Sequence, residues 1–320
     1  MEENFQSSVC IPGAVLVVVF CITALVLNGL LLIVLWKDPT KSWRSTTTVY
    51  IASLSVLQAS YAVVVGTAAT ESYIACAVGD EESPHLGKEF SRICLTFFLR
   101  VEIFLIIAFA VERLGNTLFP ASYQRGSYKA KNALFCVACI VLYSLCFSIL
   151  DMIAGKFWVH RLDVHINNII PLVVIVVLAS FLCNSLRKPS IRQREGYDTV
   201  LRETTENIQA SRRNKQKPLA NAFVSIAFLF VATMMIFFFF SLYEVYCSDC
   251  WKHEWFFAVM RISIAISFVH AAASPLIYYA CLPKLRKGFK MIFCGKREQE
   301  QIPLGRLNRN TKRTVPVIYL

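Results

Sequence analysis

The chain has 320 residues, 56% of them hydrophobic and 17% charged, and its 33 Lys and Arg against 21 Asp and Glu give a formal net charge of +12. Soluble domains carry about 25% charged residues, and no soluble core hides this much apolar sequence, so the chain falls in the membrane class. Glu2 and Glu3 stand where a cleavable signal needs basic residues, so the first apolar segment is expected to insert and stay.

Seven apolar segments are long enough to cross about 30 Å of hydrocarbon. They fall at Gly13–Trp36, Thr47–Thr70, Ile93–Val111 (running on to Phe119), Ala133–Ile153, Asn167–Leu186, Ala220–Leu242 and Trp255–Ala280. The expected fold is therefore an all-α membrane bundle of seven spanning helices. Residues 1–12 precede it, a short amphipathic segment (281–294) follows it, and residues 295–320 form a tail.

Orientation follows from charge. With the N-terminus outside, the inner connections hold 26 Lys and Arg against 7 Asp and Glu, and the outer pieces hold 4 against 11. Excess basic charge marks the cytoplasmic side. The positive net charge is thus a topology signature and not a nucleic-acid one.

The third segment ends abruptly at Glu112-Arg113, followed by a polar stretch to Pro120. An ion pair at the membrane edge is costly to desolvate unless each charge finds partners, which makes Arg113 a functional candidate; a snorkelling arginine is the bland alternative. The longest inner connection is Arg187–Lys217. Its middle, Glu195–Ala210, has the composition to extend a helix, either as a solvated loop or as a docking surface.

After Leu282-Pro283, Leu285, Phe289 and Ile292 recur at spacings of four and three among Lys284, Arg286, Lys287 and Lys290. That pattern is a basic amphipathic helix lying on the inner leaflet and touching its lipids. Cys294 at its end is a palmitoylation candidate. The last four residues, Val317 to Leu320, have the pattern of a strand that adds to a PDZ domain.

Most of the twelve cysteines lie in apolar segments, where they act as small hydrophobes. Cys10, Cys76, Cys247 and Cys250 are expected in outer loops and are disulfide candidates of undetermined pairing. Cys247 and Cys250 lack a second ligand pair for zinc.

Polar side chains deep in the spans mark packing contacts, water cavities or ion paths. At 1.5 Å per residue, Gln58 and Glu102 each lie roughly 16 Å from the inner end of their segment, His270 roughly 15 Å, Asn28 roughly 12 Å and Ser274 roughly 10 Å. These five residues share one layer, which favours a single polar cavity over separate interhelical hydrogen bonds. Glu102 and Arg113 are eleven residues apart, close to three turns, so they share a face with Leu95, Phe98, Leu99, Ile106 and Phe109. Arg261 lies near the outer end of its helix, where snorkelling would suffice. Arg100 is deeper and needs a partner that the sequence does not name.

These landmarks together resemble the rhodopsin-like (class A) G-protein-coupled receptors, over nearly the whole chain from Asn28 to Cys294. Leu27-Asn28 is similar to the family's first-helix Asn motif. Glu112-Arg113-Leu114 is similar to its Asp/Glu-Arg-Tyr switch, with Pro120 at the usual spacing. Pro171 is similar to its fifth-helix proline, and Ser274-Pro275-Leu276-Ile277-Tyr278 to its Asn-Pro-x-x-Tyr motif. The resemblance implies a non-enzymatic receptor in the plasma membrane. An extracellular ligand would bias two helix packings, a cytosolic heterotrimeric G protein would read the open one, and arrestin would be a further partner. Arg113 would be held by Glu112 at rest, and Tyr278 would help fill the opened crevice.

Several positions depart from the pattern. Gln58 replaces the second-helix Asp that binds sodium, and Ser274 replaces Asn or Asp. Glu102 reads as a displaced acid, which keeps a sodium ion or a proton among the expectations; no other cofactor is implied. Met234 stands where the sixth helix usually has Trp, and Ala179 where the fifth has Tyr.

No lysine occurs in Trp255–Ala280, which removes a retinal Schiff base, and Leu95 sits where amine receptors need Asp. Lys88 stands near the place of the third-helix cysteine, and the loop Gly155–His165 has none. Melanocortin, cannabinoid and lysophospholipid receptors share both absences, so the resemblance is closest to that branch. Cys247 and Cys250 would then pair locally, or one of them with Cys10. Leu95, Phe98, Leu99, Phe237, Phe240 and Arg261 are the expected ligand-pocket residues, for a peptide or a lipid-like ligand. A receptor active without ligand is an equal reading.

The competing class is a transporter, which tends to show broken Gly- and Pro-rich helices in matched halves; here these are absent and the span count is odd. A membrane metalloenzyme would need several intramembrane His or Asp residues, and only His270 lies well inside a span.

Overall fold

The computed structural model describes residues 2–37, 45–79, 85–118, 130–153, 161–187, 199–247, 250 and 253–294. Among these the chain is all-helical, with no strand. The helices are α1 (Glu2–Lys37), α2 (Thr46–Val78), α3 (His85–Leu118), α4 (Ala130–Ile153), α5 (a π-helical Asp163–Ile169 leading into Ile170–Arg187), α6 (Thr199–Tyr246), α7 (Glu254–Cys281) and α8 (Pro283–Phe293). Seven of them, α1 to α7, are long and apolar enough to cross a membrane. Pro120 and the terminal Val317 to Leu320 lie outside the described residues, as does the side chain of Lys88.

Local chemistry sets the boundaries. Ser45 caps α2 by accepting from the backbone N–H of Thr48 (3.3 Å). Gly79 ends α2 in the left-handed region at φ 74°, its N–H turned back to the carbonyls of Ala75 and Cys76. Leu282 is extended between α7 and α8, as the residue before a proline prefers, and Pro283 opens α8, where a missing N–H costs nothing. In α8, Leu285 is buried, while Lys284, Arg286, Lys287 and Lys290 are exposed.

The helices exceed the sequence-based spans at α1, α2, α5 and α6. α1 begins at Glu2 and α2 runs to Val78, so Cys10 and Cys76 sit inside helices and not in loops. There they form a disulfide with each other, and Cys247 bonds to Cys250. The pairing of Cys10 with the 247–250 loop is thereby corrected. α6 extends from Thr199 as one helix into its span, so the Glu195–Ala210 stretch is helical from residue 199 onward.

α5 starts earlier than its apolar run. Pro171 has no N–H to give to a carbonyl one turn back, and the turn before it widens so that Ile170 N–H bonds five residues back to His165. Asp163, which the apolar run from Asn167 leaves in the connection Gly155–His165, is therefore a buried helical residue.

The larger core cluster joins α1, α2, α3, α4, α5, α6 and α7 around Leu54, Phe109, Phe223, Phe230 and Tyr278. A second joins α1, α2 and α7 around Tyr61, Val65, Tyr73 and Phe268. A Cβ at Gly13 would collide with the Tyr73 ring, so α1 and α2 approach closely there only because that position is glycine.

Candidate functional site

α3 carries a charged member of every buried ion pair among the described residues. Its two faces serve different partners. Arg100 and Glu102 are two residues apart, about 200° around the helix, and point to opposite sides of the bundle.

Glu102 faces α2 and α7. Gln58 Nε2 donates to Glu102 Oε1 at 2.8 Å and lies 3.3 Å from Ser274 Oγ. His270 Nε2 is 2.8 Å from Glu102 Oε2. Ser274 Oγ donates to the His270 carbonyl at 2.6 Å. The ring of His270 stands edge-on to Phe230, 5.3 Å away. Four of the five residues of the expected polar layer thus form one connected, buried network. Asn28 does not join it. Its amide donates to the carbonyls of Ala24 (2.9 Å) and Ala271 (3.0 Å), which ties α1 to α7.

Each oxygen of the network's one carboxylate has a nitrogen at 2.8 Å, Gln58 Nε2 on Oε1 and His270 Nε2 on Oε2, while Gln58 Oε1 is buried with no partner among the described residues. No group of three or more metal-ligating His, Cys, Asp or Glu exists among the described residues.

Arg100 faces α4 and α5, and the structure supplies the partner that the sequence did not name. Its Nε and NH2 both donate to Asp163 Oδ1, at 3.1 and 2.6 Å. NH1 donates to the Ser144 carbonyl (2.9 Å) and Ser148 Oγ (3.0 Å). Asn167 Nδ2 adds a third donor to Asp163 Oδ1 (2.8 Å), and Tyr143 OH donates to Asn167 Oδ1 (2.7 Å). The Phe147 ring lies 5.1 Å from the guanidinium. Arg100 is 1% exposed and Asp163 2%, so both charges are fully withdrawn from solvent. Asp163, Asn167 and Pro171 recur at a spacing of four, one helix face. That periodicity was the signal that α5 continues beyond the apolar run.

Glu112 and Arg113 lie at the far end of α3. Both side chains are buried, and Arg113 pairs with Glu112 through Nε and NH2. Thr46 Oγ1 in the first turn of α2 donates to Glu112 Oε1, and Asn116 Nδ2 adds a bond of 2.8 Å. A carboxylate at a helix N-terminus is favoured by the exposed N–H groups and the helix dipole. Arg113 also lies over Phe109, 5.6 Å from its centroid. Snorkelling does not describe this arginine. Tyr278, on the turn after Ser274-Pro275, is buried, and its hydroxyl has no partner among the described residues.

The expected ligand-pocket residues lie in or beside the two core clusters, with Leu95 packed against both. Leu99 and Phe237 are buried in the larger core. Phe240 packs against Trp255 and Phe256 at the α6–α7 end. Leu95 and Phe98 are half-buried beside the second cluster. Arg261 is also half-buried, with its guanidinium 5.2 Å from the ring centroids of both Tyr73 and Phe257 and its NH1 donating to Ser72 Oγ at 2.8 Å. Cys294 is exposed at the end of α8.

The family described as 7 transmembrane receptor (rhodopsin family) matches residues 156–278, which takes in α5, α6 and α7 through Tyr278. Squid rhodopsin superposes on the chain with a TM-score of 0.73 at 14% identity, covering 90% of this chain and 86% of the other. No curated protein matches the chain by sequence. The chain thus has a seven-helix fold like that of squid rhodopsin, and its segment 156–278 is similar to that receptor family.

Proposed function

We propose that this protein is a G-protein-coupled receptor of the plasma membrane, with its N-terminus outside and the Arg113 end of α3 in the cytosol. An extracellular ligand biases two packings of the bundle, and a heterotrimeric G protein reads the open one. The observation that carries this reading is the buried Glu112–Arg113 pair, bridged to α2 by Thr46, on a rhodopsin-like fold. At rest Glu112 neutralises the arginine. In the open packing Arg113 leaves it for the G protein, and Tyr278 fills the space. The ligand shifts this equilibrium by no more than its differential affinity for the two packings.

The Glu102–His270–Gln58–Ser274 network holds α2, α3 and α7 together halfway along the bundle and links the outer half to the switch. The absence of a cysteine at Lys88 and in Gly155–His165 supports placement near the melanocortin, cannabinoid and lysophospholipid receptors. Arrestin, and a PDZ domain at the C-terminus, remain proposals of the same kind. The receptor fold does not favour a transporter.

The test is ligand-free nucleotide exchange on a panel of G proteins, in membranes bearing the wild type or Arg113→Ala at matched surface expression. Exchange that the substitution abolishes supports the receptor and identifies its coupling partner. Normal exchange with Arg113→Ala removes the switch assignment.

A further inference from the structure

Arg261 is the exception in the charge pattern of this bundle. Arg100, Arg113, Glu102 and Asp151 each meet an opposite charge or a histidine. Arg261 lies two turns inside α7 and makes no ion pair among the described residues. Its single side-chain hydrogen bond is NH1 to Ser72. The Nε and NH2 donors have no partner among the described residues.

The arginine is nevertheless held firmly. Its guanidinium sits between the Tyr73 and Phe257 rings, and Tyr73 OH donates to the Arg261 carbonyl. Tyr73 is fixed in turn by the missing Cβ of Gly13, and Cys10–Cys76 clamps α1 to α2 one turn away. A fork of N–H donors held between two rings and part-desolvated, with no carboxylate against it among the described residues, suits a planar or tetrahedral oxyanion. Next to it Cys94, Leu95, Phe98 and Phe257 at the edge of the apolar cluster are only half-buried.

We propose that Arg261 is the headgroup anchor for an amphiphilic anion, a single apolar chain ending in a carboxylate or phosphomonoester, whose tail lies along Leu95, Phe98 and Phe257. The inference rests on the receptor reading and specifies its ligand class. The outer pieces of the chain carry more acids than bases, which disfavours polyanions arriving from water. A singly headed amphiphile partitions into the bilayer first and approaches between helices, where that field is weaker. The snorkelling reading of Arg261 leaves its aromatic sandwich and its bond to Ser72 without a purpose.

The experiment uses the full chain in lipid nanodiscs without G protein. Oleate, oleyl phosphate and oleyl alcohol compete against a fluorescent long-chain carboxylate, with empty nanodiscs as the blank. The acids are expected to displace the probe at least about tenfold better than the alcohol, equivalent to 1.4 kcal/mol. Arg261→Gln should bring the acids down to the level of the alcohol and leave the alcohol unchanged. Arg261→Lys should fall between, because an ammonium keeps the charge and loses the fork. Displacement by only one of the two acids assigns the headgroup and supports the proposal.

Equal binding of acid and alcohol by the wild type overturns the proposal without recourse to any variant. So does undiminished acid binding by Arg261→Gln. Should Arg261→Gln fail to fold, Ser72→Ala, which frees NH1, provides the second variant: a changed acid-to-alcohol ratio supports the anchor, and an unchanged ratio overturns it. Failure of the receptor reading is distinguishable, since it would show as absent nucleotide exchange with anion-selective binding intact.

Discussion

Removing the Asp163 carboxylate should be the most damaging single change at the contact of α3 with α5. Asp163→Ala deletes the acceptor of three donors, two from Arg100 and one from Asn167. Arg100 stays buried, held only by the Ser144 carbonyl, Ser148 Oγ and the Phe147 face. An uncompensated buried charge of this kind costs about 3–5 kcal/mol. Replacing both partners by apolar residues of similar volume is often close to neutral, so Arg100→Met with Asp163→Leu should recover most of the loss. The coupling energy of the cycle should then be of the same order as the single-mutant cost.

Thermal unfolding of the detergent-solubilised protein, followed with a thiol-reactive dye, reads this directly. Cys21 and Cys183 are free and half-buried and become accessible on unfolding. At about 2 °C per kcal/mol for a chain of this size, Asp163→Ala should lower the midpoint by at least about 6 °C. A midpoint within a degree or two of wild type, or a double variant as damaged as the sum of the singles, would refute the claim that the pair braces α3 against α5.

Other outcomes follow from the same contacts. Glu102→Gln keeps the contact to Gln58 but loses the charge facing His270, which should loosen α3 from α7 and raise ligand-free nucleotide exchange; unchanged exchange would return Glu102 to a packing role. Cys10→Ser with Cys76→Ser should destabilise the fold by about 2–4 kcal/mol, the range typical of a disulfide; a lowered unfolding midpoint of the detergent-solubilised protein is the check, and an unchanged one refutes it. Gly13→Ala puts a methyl group into the Tyr73 ring and should cost about 1–3 kcal/mol in the same assay.

Seven spans, their order, the amphipathic α8 and the layer at Gln58, Glu102, His270 and Ser274 were legible in the sequence. Each rests on a one-dimensional signal, either an apolar run of set length or the depth of a polar residue along a helix. Depth alone misplaced Asn28. It shares the layer but bonds backbone on α7, and only the rotation of α1 about its axis decides that. Asp163 was misassigned because the apolar run begins only at Asn167, and its acceptability inside the bilayer depends on Arg100, 63 residues earlier. The Cys10–Cys76 pairing was hidden for a related reason: helix ends read from hydropathy stop where polar residues begin, yet α1 and α2 continue past that point. The pocket residues were chosen by similarity of position; they lie in or beside two core clusters that meet at Leu95.

The three buried pairs on α3 differ in what breaking them requires. Arg100–Asp163 joins α3 to α5, and Glu102–His270 joins α3 to α7. Opening either separates two helices and strands charges inside the bundle, an expense of several kcal/mol that a ligand would have to supply. Glu112 and Arg113 are adjacent on one helix. Their bond opens by side-chain rotation, at a helix end where water or a partner's carbonyls can receive the guanidinium. What ties that pair to a helix movement is the bond from Thr46 to Glu112, which couples the N-terminus of α2 to the state of Arg113. On the proposed receptor reading, the least costly opening keeps Arg100–Asp163 and Glu102–His270 in place and parts the bundle at the Arg113 end, where only a side-chain rotation and the Thr46 bond stand in the way.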